Sequence, residues 1–75
     1  MFVITGENCQ NCKMLAYELY ASDIEVEFRM AKDNMDLCRK LNIRTVPALV
    51  IDDRVITGVA EILAEIKKAK GIVDA

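Results

Sequence analysis

Hydrophobic residues in this chain recur at two different spacings, and the order of these spacings constrains the fold more than any other feature. Continuous or alternating apolar runs predict strands at 2–5, 24–30, 48–51 and 54–57. Apolar residues repeated every three and four positions predict three helices. These run over about 10–21, from a cap at 33 or 34 to about 42, and over about 11 residues from 59. The sequence therefore predicts the order βαβαββα.

Local signals indicate where these elements begin and end. Asn8 precedes the first helix and belongs to a residue type that accepts hydrogen bonds from a first helical turn, so we expect it to cap that helix. Asp52-Asp53 separates the last two strands, and a two-residue polar tip predicts a hairpin. Gly71 follows the last helix and is expected to be its C-cap.

The connections between these elements specify the sheet. A crossover helix joins the first two strands, which predicts that they are parallel, and the hairpin makes the last two antiparallel. We expect an α/β fold in which a four-stranded mixed sheet is flanked by three helices. Because a chain of 75 residues has no room for a second domain, residues 1–75 are predicted to form one domain.

Charge and composition exclude several classes of function. The formal net charge is −2, and no histidine is present. An acidic surface gives no electrostatic reason to bind nucleic acid or an anionic membrane, and the lack of histidine excludes a histidine base or metal ligand. No apolar run approaches the roughly 20 residues that span a bilayer, and no charged leader opens the chain. We expect a cytoplasmic protein, and nothing in the sequence requires more than a monomer.

Cys9 and Cys12 carry the clearest chemical signal. A separation of three residues at the start of a helix brings two sulfur atoms close enough for a disulfide, and the helix N-terminus favours a thiolate on the first cysteine. The thiolate is the nucleophile in thiol–disulfide exchange. Cys12 lies one turn further on, on the buried side, and is suited to resolving a mixed disulfide. With three cysteines and no histidine, the chain lacks the four ligands of a closed zinc site, so no metal is predicted.

Thr45-Val46-Pro47 precedes the third strand, which we expect beside the first. A proline that opens a strand lacks the N–H that a central ladder needs. Together with Cys9-x-x-Cys12 and the order of elements, this segment resembles thioredoxin-fold proteins of the glutaredoxin-like group over nearly the whole chain. The resemblance implies the minimal thioredoxin fold, with Cys9 as the nucleophile, Cys12 as the resolving cysteine and Pro47 as a cis-proline.

The same resemblance implies a small thiol–disulfide oxidoreductase, an enzyme that reduces protein disulfides by cycling one cysteine pair between dithiol and disulfide. Val46 is implied to pair its backbone with that of the client. The other substrate-binding positions implied are Asn8, Gln10, Asn11, Thr45 and Pro47. The implied partners are a protein disulfide client and an electron donor of the thioredoxin-reductase or glutathione type.

Glutathione recognition is matched only in part. Glutaredoxins follow the hairpin with Gly-Gly and a nearby acidic residue, where residues 58–61 of this chain are Gly-Val-Ala-Glu, and they place an aromatic residue where Asn11 stands. The thioredoxin pattern is also incomplete, because Val3 stands where thioredoxins bury an acidic residue. We therefore predict no cofactor beyond the redox-active disulfide and keep glutathione as an alternative.

Two other functions fit parts of the sequence. Gly6-x-x-Cys9-x-x-Cys12 after a first strand also resembles the copper-binding heavy-metal-associated domain, and two thiolates suit Cu(I). That domain ends on a strand and has no counterpart of the predicted second helix, so this chain departs from its order. A non-enzymatic interaction domain is the third hypothesis, although such a domain has no need of the cysteine pair.

Several other residues are predicted to have packing roles, with a regulatory or intermolecular thiol as the alternative for Cys38. Cys38 lies on the apolar stripe of the second helix, and a buried cysteine behaves as a small apolar residue. Met14 and Met35 are predicted to fill gaps in the core. Tyr17 and Tyr20 are expected to be partly exposed packing residues of the first helix.

Overall fold

A computed structural model describes residues 1–71 of the chain, and residues 72–75 of the predicted domain lie outside this description. The strands are β1 (Phe2–Thr5), β2 (Glu27–Met30), β3 (Ala48–Ile51) and β4 (Arg54–Thr57). The helices are α1 (Gln10–Ala21), α2 (Met35–Lys40) and α3 (Val59–Ala69), and a 3₁₀ turn (Ala31–Asp33) precedes α2. The predicted order βαβαββα is confirmed. None of the helices within residues 1–71 has the length and apolar character needed to cross a membrane.

The four strands form one mixed sheet in the order β2-β1-β3-β4. β1 is parallel to β2 and antiparallel to β3, and β3 is antiparallel to β4, as the connections predict. Ile4 near the end of β1 lies opposite Ala48 at the start of β3. The loop that follows β1 and the loop that precedes β3 therefore meet at the same edge of the sheet.

The two central strands are apolar on both faces because helices cover both sides of the sheet. Val3 and Leu49 face α1 and α3, and they pack there with Leu15, Leu19, Ile24, Ile62 and Ile66. Ile4 and Ala48 face the other side and pack in a second cluster with Val50 and Cys38 of α2. This two-layer packing holds β1, and hence the start of α1, against β3.

Strand β2 is shorter than its alternating pattern predicts. The prediction of a strand over 24–30 is wrong for its first three residues, because β1 offers only Phe2–Thr5 as partners for Glu27–Met30. Ile24 is still buried, at 8% exposure, but its N–H donates to the carbonyl of Leu19 at the end of α1. Phe28 is 39% exposed because β2 is an edge strand and the helical layer covers it incompletely.

Helix α2 begins at Met35, directly after Asn34, one of the two predicted caps, but it ends earlier than predicted. The chain first forms the 3₁₀ turn, and Asn34 then flanks α2 without accepting a hydrogen bond from it. Its side-chain Nδ2 instead donates to the carbonyl oxygen of Met30 at 2.7 Å. Asn42, the predicted last residue, lies beyond α2 in a left-handed conformation with a φ of 57°. Such a conformation cannot continue a right-handed helix, which explains the early end.

Gly58 joins β4 to α3 in a conformation that other residues avoid. Its φ is +92° and its ψ is 129°. We expect Gly58→Ala to lower the free energy of unfolding by about 1–3 kcal/mol, because a Cβ strains this backbone conformation. Chemical denaturation of the oxidised protein measures this loss.

A double variant separates backbone strain from side-chain contact at this position. A Cβ on Gly58 would lie 2.5 Å from Oε2 of Glu61, the far end of a flexible side chain. Gly58→Ala with Glu61→Ala is expected to remain as unstable as Gly58→Ala alone, after subtraction of the effect of Glu61→Ala. Recovery of stability in the double variant would instead identify the contact as the cause.

Candidate redox site

The redox site begins where the chain turns from β1 into α1. After Thr5, the segment 6–8 leads to Cys9, which is the N-cap of α1. The prediction that Asn8 caps this helix is wrong. Asn8 adopts a left-handed conformation with a φ of 52°, which asparagine tolerates better than most residues. It turns the chain so that the cysteine side chain, one residue later, occupies the capping position.

Cys9 and Cys12 are joined by a disulfide across the first turn of α1, with their Cα atoms 5.2 Å apart. The backbone N–H of Cys12 donates to Sγ of Cys9 at 3.2 Å. Cys12 is buried at 5% exposure, whereas Cys9 is only half-buried. Of the two sulfur atoms, the one at Cys9 is therefore the more accessible to a partner, and it accepts the hydrogen bond that the helix end provides.

The segment before β3 lies against this sulfur. The Val46–Pro47 peptide bond is cis, and Pro47 is buried. Sγ of Cys9 lies 3.6 Å from the carbonyl oxygen of Val46. In the dithiol form, the thiol of Cys9 has this oxygen as an acceptor, whereas a disulfide sulfur has no proton to donate. The antiparallel pairing of β1 with β3 accounts for this approach of two segments 37 residues apart.

Gly6 permits this close approach, and sequence reasoning missed its role. A Cβ built on Gly6 would lie 3.0 Å from Cγ2 of Val46, which is tighter than ordinary packing. A larger residue at position 6 would press on the segment that faces Sγ of Cys9. A glycine directly after a strand and three residues before Cys9-x-x-Cys12 was the available signal.

The other predicted substrate-binding residues are neighbours in the chain of the cysteine pair or of Val46, and they lie at the surface. Asn8, Gln10, Asn11 and Thr45 are all exposed. The first turn of α1 contains no acidic residue, so no carboxylate there opposes a thiolate on Cys9. The structure thus brings Cys12 and Val46 to the half-buried sulfur atom of Cys9.

An ion pair that the sequence does not predict joins the loop between β1 and α1 to the 3₁₀ turn after β2. Nζ of Lys32, in the 3₁₀ turn after β2, lies against Oε1 of Glu7, two residues before Cys9. Both side chains are exposed, so the energy of this pair is small. At the opposite end of β1, a hydrogen bond from Arg29 holds the pKa of the Glu27 carboxyl below its ordinary value.

Cys38 is 8% exposed and free, and it packs in the α2 layer, so its predicted role in the core is confirmed. No cluster of three or more potential metal-ligating side chains occurs within residues 1–71.

The predicted packing roles of the methionines and tyrosines are wrong. Met14 is 50% and Met35 is 49% exposed, so neither fills a gap in the core. Tyr17 and Tyr20 are exposed at 70% and 85%, more than the partial burial expected of them. Leu15 and Leu19 are the buried residues in the middle of α1, and they pack in the cluster that contains Val3, Leu49, Ile62 and Ile66.

Comparison with known proteins agrees with this arrangement. A family model described as a thioredoxin domain matches residues 2–70. The matched region contains both cysteines of the pair, the Thr45-Val46-Pro47 segment and every strand and helix of the fold. Searches of curated proteins and of solved structures gave no significant match.

Proposed function

This chain belongs to the thioredoxin-domain family, and we propose that it is a small thiol–disulfide oxidoreductase that reduces disulfides in protein clients. One observation carries the proposal. A half-buried cysteine caps α1, bonds to a buried cysteine one turn later, and lies 3.6 Å from the carbonyl oxygen of Val46. This geometry provides an accessible sulfur, a covered partner and a backbone segment beside them.

The first step of the proposed reaction uses the dithiol form. The thiolate of Cys9, stabilised by the N–H of Cys12 and the N-terminus of α1, attacks one sulfur of a client disulfide. A bond forms between Sγ of Cys9 and that sulfur, and the client disulfide breaks. The second client sulfur leaves as a thiolate and takes a proton from solvent.

The second step uses the buried cysteine. The thiolate of Cys12 attacks Sγ of Cys9, which forms the intramolecular disulfide and releases the first client sulfur as a thiol. The client gains two electrons and the pair loses two. An external donor of the thioredoxin-reductase or glutathione type then returns two electrons and restores the dithiol.

Client binding is assigned to the segment beside the sulfur. We expect an extended client segment to lie along Thr45-Val46-Pro47 and to pair with the backbone of Val46, so that its disulfide reaches Cys9. Thr45 is exposed and Val46 is half-buried, so a client can approach this segment from solvent.

The reduction potential of the Cys9–Cys12 pair tests the proposed function. The protein is equilibrated in thiol buffers of defined potential, free thiols are trapped, and the trapped cysteines are mapped by mass. We expect a reversible two-electron transition at roughly −270 to −200 mV, the range of dithiol reductants. Cys38→Ala is the matched control, because this buried free thiol is not part of the pair and its loss should leave the transition in place.

A missing transition would contradict the proposal. If Cys9 and Cys12 form no reversible disulfide, the pair is not a redox couple, and titration with Cu(I) then tests the soft-metal carrier. Tight Cu(I) binding without any disulfide reduction would replace the proposed function by metal carriage.

A further inference from the structure

An open cleft of about 400 Å³ lies directly beside the redox site. Its lining includes Thr45 and Val46 and, from α2, Met35 and Arg39. The carbonyl oxygen of Val46 is the atom 3.6 Å from Sγ of Cys9. The cleft therefore starts at the residue that contacts the reacting sulfur, and a client bound there extends over α2.

Three lining residues, Met35, Ile43 and Val46, are apolar and accessible, and we call them the floor of the cleft. Met35 is 49% exposed although it is apolar, and Ile43 and Val46 are half-buried. Methionine side chains adapt to the shape of a bound side chain, and exposed apolar surface in a concavity favours an apolar ligand group. This floor suits one apolar side chain of a client segment.

The charge of the cleft is positive on a chain that is acidic overall. Arg39 and Arg44 are the charged residues among those that line it, and no lining residue within the described chain is acidic. Nε of Arg44 donates to Oδ1 of Asn42 at 3.2 Å, and Nη1 of Arg39 lies 3.8 Å from a carboxylate oxygen of the exposed Asp36. Each guanidinium has five N–H donors, so both retain donors for a carboxylate of a ligand.

We propose that this cleft selects clients in which an apolar residue lies next to the disulfide cysteine and an acidic residue lies two positions further along the same extended segment. This inference rests on the proposed disulfide reductase and names its substrate class. An extended segment that pairs with Val46 places alternate side chains on the same side. The apolar side chain packs on Met35 and Ile43, and the carboxylate binds at Arg39 and Arg44.

Three disulfide peptides of the same length provide the first test. Each carries Leu next to the cysteine, followed by Glu, Gln or Lys two positions from that Leu, and a tryptophan as the reporter. Because the chain has no tryptophan, the fluorescence change comes from the peptide alone. We expect the prereduced protein to reduce the Glu peptide with a kcat/KM about 10-fold above that of the Lys peptide at low salt, and this ratio should shrink at high salt.

Arginine variants inside and outside the cleft locate the preference. Arg39→Gln with Arg44→Gln should reduce the Glu-to-Lys ratio to about 1 while the Gln peptide is still reduced. Arg54→Gln removes the same single charge as Arg44→Gln alone and is the control for that single variant, because Arg54 lies at the β3–β4 hairpin, facing Glu65 at 3.9 Å, and does not line the cleft. Its ratio should stay at the wild-type value.

A binding measurement distinguishes failure of this inference from failure of the proposed function. Fluorescence anisotropy follows the same three peptides with serine in place of cysteine on the oxidised protein. If the Glu peptide binds more tightly and this preference depends on Arg39 and Arg44, the proposed selectivity of the cleft is supported. If in addition no peptide is reduced, only the proposed reductase function is overturned. Equal binding and equal rates for the three peptides would overturn the cleft assignment.

Oxidised glutathione is the competing occupant, because it also carries carboxylates next to a disulfide. If glutathione disulfide is reduced faster than every peptide, and this rate rather than the peptide ratio falls in the arginine variants, the cleft is a glutathione site and the proposed client class is wrong.

Discussion

Cys9→Ser is expected to abolish the reduction of protein disulfides, with a loss of at least about 10³-fold in kcat/KM. Serine has nearly the same shape, and its hydroxyl does not form the anion that attacks a disulfide near neutral pH. The N–H of Cys12 that now donates to Sγ of Cys9 at 3.2 Å would have an oxygen as its acceptor, so the helix end stays capped. Reduction of insulin by a thiol donor measures the loss, and circular dichroism checks that the fold is kept.

Cys12→Ser is the matched control, because it removes the other sulfur of the same pair. This variant should still attack a client but should stop at the mixed disulfide on Cys9, which is detected as a covalent complex that a reductant dissolves. The reverse assignment, with a trapped complex in Cys9→Ser and none in Cys12→Ser, would show that the nucleophile is Cys12. Wild-type activity in Cys9→Ser would refute the reductase itself.

Leu49→Ala is expected to produce the largest loss of stability among single substitutions in the sheet. Leu49 is completely buried between β1, α1 and α3, where it packs with Val3, Leu15 and Ile62. Deleting a buried leucine side chain costs about 2–5 kcal/mol. A domain of this size has a total stability of about 4–11 kcal/mol, so the variant retains little of it. Urea denaturation of the oxidised protein measures the change.

Leu63→Ala is the control of identical chemistry at the margin of the same cluster, where the leucine is only half-buried. Its loss should be about half or less of that at Leu49, because fewer contacts are removed and water fills the space left behind. Equal losses at the two positions would show that the cluster does not distinguish its centre from its margin, contrary to the packing observed.

Periodicity predicts the helices of this chain better than its second strand, and the difference has a physical cause. α1 covers Gln10–Ala21 and α3 covers 11 residues from Val59, as predicted, because a helix makes its backbone hydrogen bonds within its own sequence. The alternation over 24–30 indicates which side chains face the core, but β2 begins only at Glu27, opposite Phe2 at the start of its partner β1, and only pairing reveals that limit.

The candidate site also has features that the sequence predicts and features that only the structure shows. Cys9-x-x-Cys12 is visible as a spacing, and Thr45-Val46-Pro47 as a strand-opening proline. The helix cap is different, because Asn8 has the better side chain for capping but the left-handed turn at Asn8 places Cys9 in that position. Met35, the first residue of α2, is 49% exposed, which its apolar side chain alone does not reveal.

The sequence by itself determined the order of strands and helices, the identity of the cysteine pair and the acidic charge, because each depends on residues close together in the chain. Only the tertiary structure decided what surrounds Sγ of Cys9. The antiparallel pairing of β1 with β3 brings Val46, 37 residues away, to 3.6 Å from that sulfur, with Gly6 leaving the space for it.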